Sequence, residues 1–587
     1  METLHRLVTP WTAQVSPETP LPEYPRPQLA RTSFLNLNGI WRYRISQNPD
    51  YPSFDGEILV PFSPESALSG VSRTLQPDEY LIYERQVELP KGFNQGLILL
   101  NFGAVDQEAE VFINQMPVGK HVGGFTPFTL DITTYVGNGP FMIKVRVRDY
   151  TDTHHHQVGK QKLKPKGIFY TPQSGIWQTV WIESVPEDYI RKMKIIPSFS
   201  SGGFKFMLDV LKPLPVTVRV LFEEQEIDYQ EFEQPTFFVK LKQRHEWTPE
   251  SPNLYHFVIT YGDDEVKTYA ALRSFKRNFA SDGTNRFFLN GKPYLMLGVL
   301  DQGYWPDGLL TAPDDEAYIH DILTMKSMGF NTLRKHIKVE PMRFYFHCDR
   351  LGMIVWQDMI NGGSARSIAP NGALAMVGIH LWDRLYLWFG RQAKKSRAQY
   401  YRELKQMFDK LISVPSIAVW VPFNEAWGQF DAARVFAMAR HIDETRLIDH
   451  ASGWSDQRVG DFHSRHIYFS KVRFFHFSSR RRIIALTEFG GYALKVLDHM
   501  YNPKKAFGYK MMKDETELEE KLASLWAREL GPQIKNGLSA IIYTQLSDVE
   551  NEVNGLLTYD RKVVKVNPEH MRKINRDLRS VFENAVK

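Results

Sequence analysis

At 587 residues the chain is too long for one hydrophobic core, and domains of ordinary size imply roughly three or four. A net charge of +5 from 72 basic and 67 acidic residues, scattered along the sequence, argues against a nucleic-acid-binding face, and no apolar run approaches the length of a membrane span. The 13% aromatic content, with 13 Trp and 26 Tyr, is high and suits either large cores or flat, polyhydroxylated ligands.

The opening METLHRLVTPW has no apolar core of a signal peptide. The single cysteine, Cys348, allows no disulfide within the chain, so a reduced, cytoplasmic setting is expected. From about residue 30 to 185 short alternating strands separated by turns (FLNLNGIWRYRI, YERQVELP, GLILLNFGAV, AEVFINQMPVG, FMIKVRVRDY, TVWIESV) predict a β-sandwich over 1–185. His154-His155-His156 in this part reads as a solvated loop rather than a metal site, because consecutive side chains diverge. A second β segment, 186–275, has the size and spacing of a small immunoglobulin-like sandwich and carries the Pro-rich turn WTPESPNLY.

After Phe275 the period changes, and apolar strands alternate with amphipathic helices. Strands are expected at 294–299, 330–336, 353–358, 417–425, 446–452, 462–468, 483–490 and 538–543. Helices fall between several of them, the last, ETELEEKLASLWAREL, being closed by Gly531-Pro532. This alternation over 276–587 predicts a (β/α)8 TIM barrel, whose strands open at their carboxyl ends onto the active site.

Glu425, in VPFNEAWGQFD, ends the fourth predicted strand, and Glu488, in TEFGG, ends the seventh, so both carboxylates project into one mouth. Paired carboxylates there suit glycosidic-bond cleavage, in which one acid protonates the leaving oxygen and the other meets the positive charge developing on the anomeric carbon. Asn424 and Trp427 flank the first of them.

On these residues the chain resembles glycoside hydrolase family 2, the β-galactosidases, β-glucuronidases and β-mannosidases. LNLNGIWRYRI, ILVPFSPESALSG, NFGAVDQEAEVFINQMPVGKHVGGFTPFTLDIT and SGIWQTVWIE resemble that family's amino-terminal, jelly-roll-like sugar-binding sandwich. WTPESPNLY resembles its middle sandwich, and GFNTLRKH, PFNEAW and TEFGGY its barrel. The resemblance implies retention of anomeric configuration, with Glu425 as acid/base and Glu488 as nucleophile. It further implies that Arg334 supports the charge of Glu488 and that Asn424 bonds the sugar 2-hydroxyl. Glu425 is expected to be protonated before attack, favoured by Phe423 and Trp427. His336, Asp358 and His463 stand at strand ends and either bind hydroxyls or are structural; Asp301 and Trp305 follow the first strand, and Tyr543 ends the eighth, as further sugar-binding candidates.

Glucuronidases share an Asn-x-Lys before a Gly-Ile/Leu-x-Thr segment, but here Glu552-Val553-Asn554 precedes Gly555-Leu556-Leu557-Thr558. An acid where a carboxylate should dock is repulsive, so a neutral, galactose-type sugar is expected. The acidic run Asp548, Glu550, Glu552 reads either as hydroxyl ligands or as a solvated loop. The expected protein is therefore a retaining, exo-acting, galactosidase-like hydrolase of a small glycoside or oligosaccharide. It would need no cofactor or metal and could form a homo-oligomer. Its alternatives are a glucuronidase, arabinosidase or mannosidase, or a carbohydrate-binding protein without catalysis.

Overall fold

The computed structural model describes residues 7–50, 52–137, 139–363, 368–376 and 379–587; the opening Met1–Arg6, read above for a leader, lies outside them. The first antiparallel pair of sheets carries the alternation that the sequence shows. In Phe141–Arg148 (FMIKVRVR), Phe141, Ile143, Val145 and Val147 are buried while the residues between them are half-buried. Burying each such side chain contributes about 1.5–3 kcal/mol relative to exposure. That strand lies in a six-stranded sheet, in spatial order Gly56–Val60, Gly39–Ser46, Tyr80–Val87, Phe141–Arg148, Glu108–Ile113, Met116–Val122. Its inner face shares one core with a four-stranded sheet of Leu35–Asn36, Val180–Val185, Leu97–Phe102 and Phe128–Asp131. A second sandwich pairs a three-stranded sheet (Lys192–Ser198, Gly203–Asp209, Thr236–Lys240) with a four-stranded one built on Val216–Phe222 and Tyr255–Tyr261.

The barrel is preceded by an antiparallel hairpin, Phe275–Phe279 with Asn285–Leu289. Phe275, Phe287 and Leu289 pack with Met296, Trp356 and Val419 from inside the barrel and so fill its closed end. Eight parallel strands follow, in chain order Met296–Asp301, Thr332–Lys335, Ile354–Asp358, Ile417–Val421, Leu447–Ile448, Phe462–Ile467, Ile483–Gly490 and Leu538–Thr544. Their sheet runs 5-4-3-2-1-8-7-6, a nearly closed barrel whose fifth strand is two residues long.

Two local expectations change. The fourth strand stops at Val421, four residues before Glu425. Gly531-Pro532 does not end the last predicted helix: Glu515–Leu525 passes through a wider π turn, Trp526–Leu530, into a further helical turn at Gly531–Ile534. Pro532, which has no N–H to continue the ladder, follows directly on the wider turn, whose last bond runs from Gly531 N to Trp526 O. Cys348 lies buried within Met342–Leu351, where burial pushes its thiol pKa up. No helix among the described residues is long and apolar enough to cross a membrane.

The first sandwich reaches the barrel mouth through residues 150–171. Val158 and Gly159 donate their backbone N–H groups to Asn361 O, beyond the third barrel strand, at 2.9 and 3.0 Å. Tyr170 Oη donates to Glu552 Oε2 at 2.5 Å and Thr171 N to Glu550 Oε1 at 2.7 Å, both beyond the eighth strand. Gly159 has φ +66°, and a Cβ there would stand 3.1 Å from Ile337 O, so the close approach calls for glycine.

Candidate active site

Alternation along the barrel strands decides which side chains reach the mouth. In Thr332–Lys335, Arg334 points inward and is fully buried, whereas Lys335 points to the helix layer, 4.1 Å from the Phe344 ring centroid. Arg334 spans the barrel. Nε and Nη2 donate to the two Asp358 oxygens at 3.0 Å each, and Nη2 also to Asn424 Oδ1 at 2.7 Å. Nη1 donates to Thr487 O at 3.0 Å and to Glu488 Oε1 at 3.1 Å. Burial works against the guanidinium, but Asp358 and Glu488 outweigh it and raise its pKa further. His336 Nδ1 lies 2.9 Å from Asp358 Oδ2; burial, with the charge of Lys160, pushes its pKa well below the usual value and keeps the ring neutral.

Beyond Val421 the chain turns sharply. Glu425 (φ 50°) and Ala426 (φ 58°) adopt left-handed backbone that costs non-glycine residues about 1–2 kcal/mol each. The turn is pinned by Glu425 N to Ser452 O at 2.9 Å and Ser452 N to Phe423 O at 2.8 Å. The aromatics around the Asn-Glu pair serve this pinning. Phe423 stacks on Tyr400 (centroids 5.0 Å, 10°), whose hydroxyl donates to Pro422 O at 2.6 Å, and Trp427 packs edge-on to Phe169 of the first sandwich at 5.4 Å.

The strained turn aims Glu425 across the mouth at Glu488. Their nearest carboxylate oxygens and a nitrogen of His466 all lie within 4.8 Å of one another. His466 Nδ1 is 2.8 Å from Glu425 Oε1 and 3.5 Å from Glu488 Oε2. Tyr468 Oη donates to Glu488 Oε2 at 2.6 Å, its ring stacked flat on Tyr509 at 3.7 Å. Burial, with the charge of Glu488, pushes the Tyr468 hydroxyl pKa well above 10, so it remains a donor. The triad spacing would also suit a divalent cation, but the Arg334 guanidinium at 3.1 Å from Glu488 opposes a second positive charge there.

Glu425 differs from the expectation that apolar neighbours hold it protonated. Burial is the largest single influence and raises its pKa, but the hydrogen bond and charge of His466, with Lys160 and Arg334, outweigh burial and hold it below the ordinary carboxyl value.

The mouth thus gathers Arg334, His336, Asp358, Asn424, Glu425 and Glu488. Trp427 stands at its edge with Val158 and Ile337. Four other candidates lie elsewhere. Asp301 falls on the outward parity of its strand and pairs with Lys335 Nζ at 2.6 Å behind the wall. Tyr543 also faces outward, packing on Phe489 and Trp526 at 5.7 and 5.8 Å. Trp305 packs against Trp11 and Tyr318 and lies 4.1 Å from the Arg561 guanidinium. His463 turns away from the barrel toward Asp456, 3.5 Å off, and Arg482.

His466, Tyr468 and Lys160 were not among the candidates. The first two follow a register shift between Arg465 and His466 that sets His466 opposite Glu488. The acidic run is buried rather than solvated: Asp548 pairs with Lys565 Nζ at 2.6 Å, and Glu550 and Glu552 hold the sandwich loop. His156 is buried too, its Nδ1 2.9 Å from Gln399 Nε2, while His154 is exposed.

The profile described as "Glycosyl hydrolases family 2, sugar binding domain" matches residues 68–186, and that described as "Glycosyl hydrolases family 2, TIM barrel domain" matches residues 282–481. The chain belongs to glycoside hydrolase family 2. Within this family 2 chain Glu425 lies inside the matched barrel span and Glu488 just beyond it. A Formosa agariphila protein named provisionally as a β-glucuronidase is 26% identical over 305 residues, 47% of this chain and 34% of its own length. A β-galactosidase of Thermoanaerobacter pseudethanolicus is 21% identical over 416 residues, covering 64% of this chain and 54% of the relative. The family 2 chain therefore spans between a third and about half the length of these curated relatives. Among solved structures, the β-D-glucuronidase of Dictyoglomus thermophilum superposes with a TM-score of 0.73 at 17% identity, over 95% of this chain and 98% of that one, and so shares the fold.

Proposed function

We propose that this chain is a retaining, exo-acting β-glycosidase, with Glu488 as nucleophile and Glu425 as acid/base. The observation that carries the reading is the separation of the two carboxylates, whose nearest oxygens lie within 4.8 Å of each other. Retaining glycosidases hold their carboxyl groups roughly 5–5.5 Å apart, whereas inverting ones need about 6.5–9.5 Å to admit a water. The partners of each group fit its role. Glu488 accepts hydrogen bonds from Arg334 and Tyr468, and Glu425 Oε1 lies 2.8 Å from His466 Nδ1. Arg334 takes Asn424 Oδ1 and so leaves Nδ2 as the donor for a sugar hydroxyl. The sandwich loop roofs the mouth between the third and eighth strands, which favours a pocket for a chain end over a groove. The same carboxylate pair would serve the neutral, galactose-type sugar expected from Glu552-Val553-Asn554 or the uronic acid that a relative's glucuronidase name implies.

Azide tests the assignment. Glu425→Ala with an activated aryl glycoside should form the glycosyl-enzyme and stall, because water lacks its general base; azide needs none and should restore turnover, yielding the β-azide. Glu488→Ala should be inactive, or yield only the α-azide. Interchanged product configurations would reverse the two roles. No rescue in either variant, with no turnover by the unaltered protein, would favour a sugar-binding protein without catalysis.

A further inference from the structure

Lys160 lies in the loop that the first sandwich extends over the barrel mouth. Its own carbonyl accepts Tyr170 N at 2.9 Å, and the neighbouring Gly159 touches Ile337, next to His336 beyond the second strand. Tyr170 in turn binds Glu552 beyond the eighth strand, while Val158 and Gly159 bind Asn361 beyond the third. Asn361 Nδ2 lies 3.5 Å from Asn424 O. Contacts to the second, third and eighth strand ends thus hold the backbone at Lys160 against the barrel mouth, and its charge acts on His336, Glu425 and Glu552.

The residue is 8% exposed, yet among the described residues its ammonium has no hydrogen-bond or ion-pair partner; the Phe169 ring centroid, 5.8 Å from Nζ, is its aromatic neighbour. The acids around it are already engaged. Glu552 accepts from Tyr170 and from Asn554 Nδ2 at 3.0 Å, Glu550 from Thr171 N, Glu425 faces His466, and Glu488 and Asp358 share Arg334. The Lys160 charge is nonetheless felt there: burial raises the Glu552 carboxyl, and Lys160 is the largest influence opposing it. An ammonium so placed would be stripped of its remaining water by any sugar entering the pocket, and an unpaired buried charge is costly. A hydroxyl group offers it a hydrogen bond but no opposite charge.

Resting on the glycosidase reading above, we propose that Lys160 is a specificity-determining residue that binds a carboxylate on the terminal sugar, making the preferred substrate a β-linked hexuronide. The neutral-sugar expectation rested on the missing lysine in 552–554. The fold brings a lysine to Glu552 of that same stretch from nearly four hundred residues away, with the sandwich loop as its carrier.

The test measures kcat/KM for 4-nitrophenyl β-glucuronide and β-galacturonide against the matching β-glucoside and β-galactoside, with the unaltered protein and with Lys160→Met and Lys160→Arg. The uronides should be preferred. Lys160→Met should lose roughly 10- to 100-fold on them while neutral glycosides change by less than about threefold, and Lys160→Arg should recover part of the loss. Inhibition by free glucuronate against glucose gives the same comparison on the unaltered protein, should the variants fold poorly. Neutral glycosides turned over in preference to uronides, or equal losses on both classes, would overturn the role of Lys160 and leave the glycosidase reading standing. Turnover of none of the four would count against both.

Discussion

Tyr468→Phe isolates one hydrogen bond of the proposed mechanism. The substitution removes the hydroxyl 2.6 Å from Glu488 Oε2 and keeps the ring that stacks on Tyr509 at 3.7 Å and 3°, so the wall of the site should stand unchanged. A hydrogen bond to a charged group contributes about 1.5–3 kcal/mol. How that appears in the rate depends on where the charge lies. When Glu488 attacks, its negative charge is spent in the new bond, so a donor that stabilises the anion does little to speed glycosylation. When the glycosyl-enzyme breaks down, the charge returns to the carboxylate in the transition state, and the donor lowers that barrier. Losing most of 1.5–3 kcal/mol there should lower kcat by about 10- to 100-fold, since about 1.36 kcal/mol is a factor of ten, while kcat/KM, which reports glycosylation, falls much less. KM should therefore drop with kcat, and stopped-flow mixing with an activated aryl glycoside should show a burst of aglycone equal to the enzyme concentration. Equal falls in kcat and kcat/KM with no burst would refute the reasoning, because Tyr468 would then act before the intermediate forms.

His466→Gln should move the alkaline limb of the kcat/KM profile to higher pH. Burial raises the Glu425 carboxyl and His466 draws it down, so removing the histidine lets it rise, and an acid that must be protonated at attack then stays competent at higher pH. A limb that stays put or moves down in pH–rate measurements would contradict this. Arg334→Ala should abolish most turnover and also destabilise the fold by about 3–5 kcal/mol, because Asp358 is left buried without its guanidinium. Chemical denaturation matching that of the unaltered protein would show that the ion pair is not what holds these strands.

The barrel was legible because its strands are apolar runs followed by polar ends, and the polar residues of inward parity, Arg334 and Asp358, do meet in the mouth; Glu488 joins them only because a register irregularity between Leu486 and Phe489 breaks the alternation of its strand. Where the sequence misled, a physical cause is visible. Asp301 and Tyr543 stand at strand ends like the others but on the outward parity, which an apolar run buried on both faces does not reveal. His463 and His466 are three residues apart in FHSRHIY, so strict alternation cannot turn both inward, and the shift at Arg465/His466 puts the later one opposite Glu488. Trp305 sits in a Gly- and Pro-bearing loop, and its packing on Trp11 is a contact with the chain's opening segment that no local pattern encodes. Lys160 was invisible for the same reason, since its position depends on how a sandwich loop docks on a barrel.

That docking makes the barrel a poor cassette for domain shuffling. Part of the cover over the mouth, with the proposed sugar-binding Lys160, belongs to the first sandwich, held through Asn361, Glu550 and Glu552. A chimera that kept this barrel and borrowed another sandwich would inherit Glu425 and Glu488, the proposed acid/base and nucleophile, but a different ceiling above them. On the proposed reading, cleavage would survive the exchange while the choice of sugar travelled with the foreign loop.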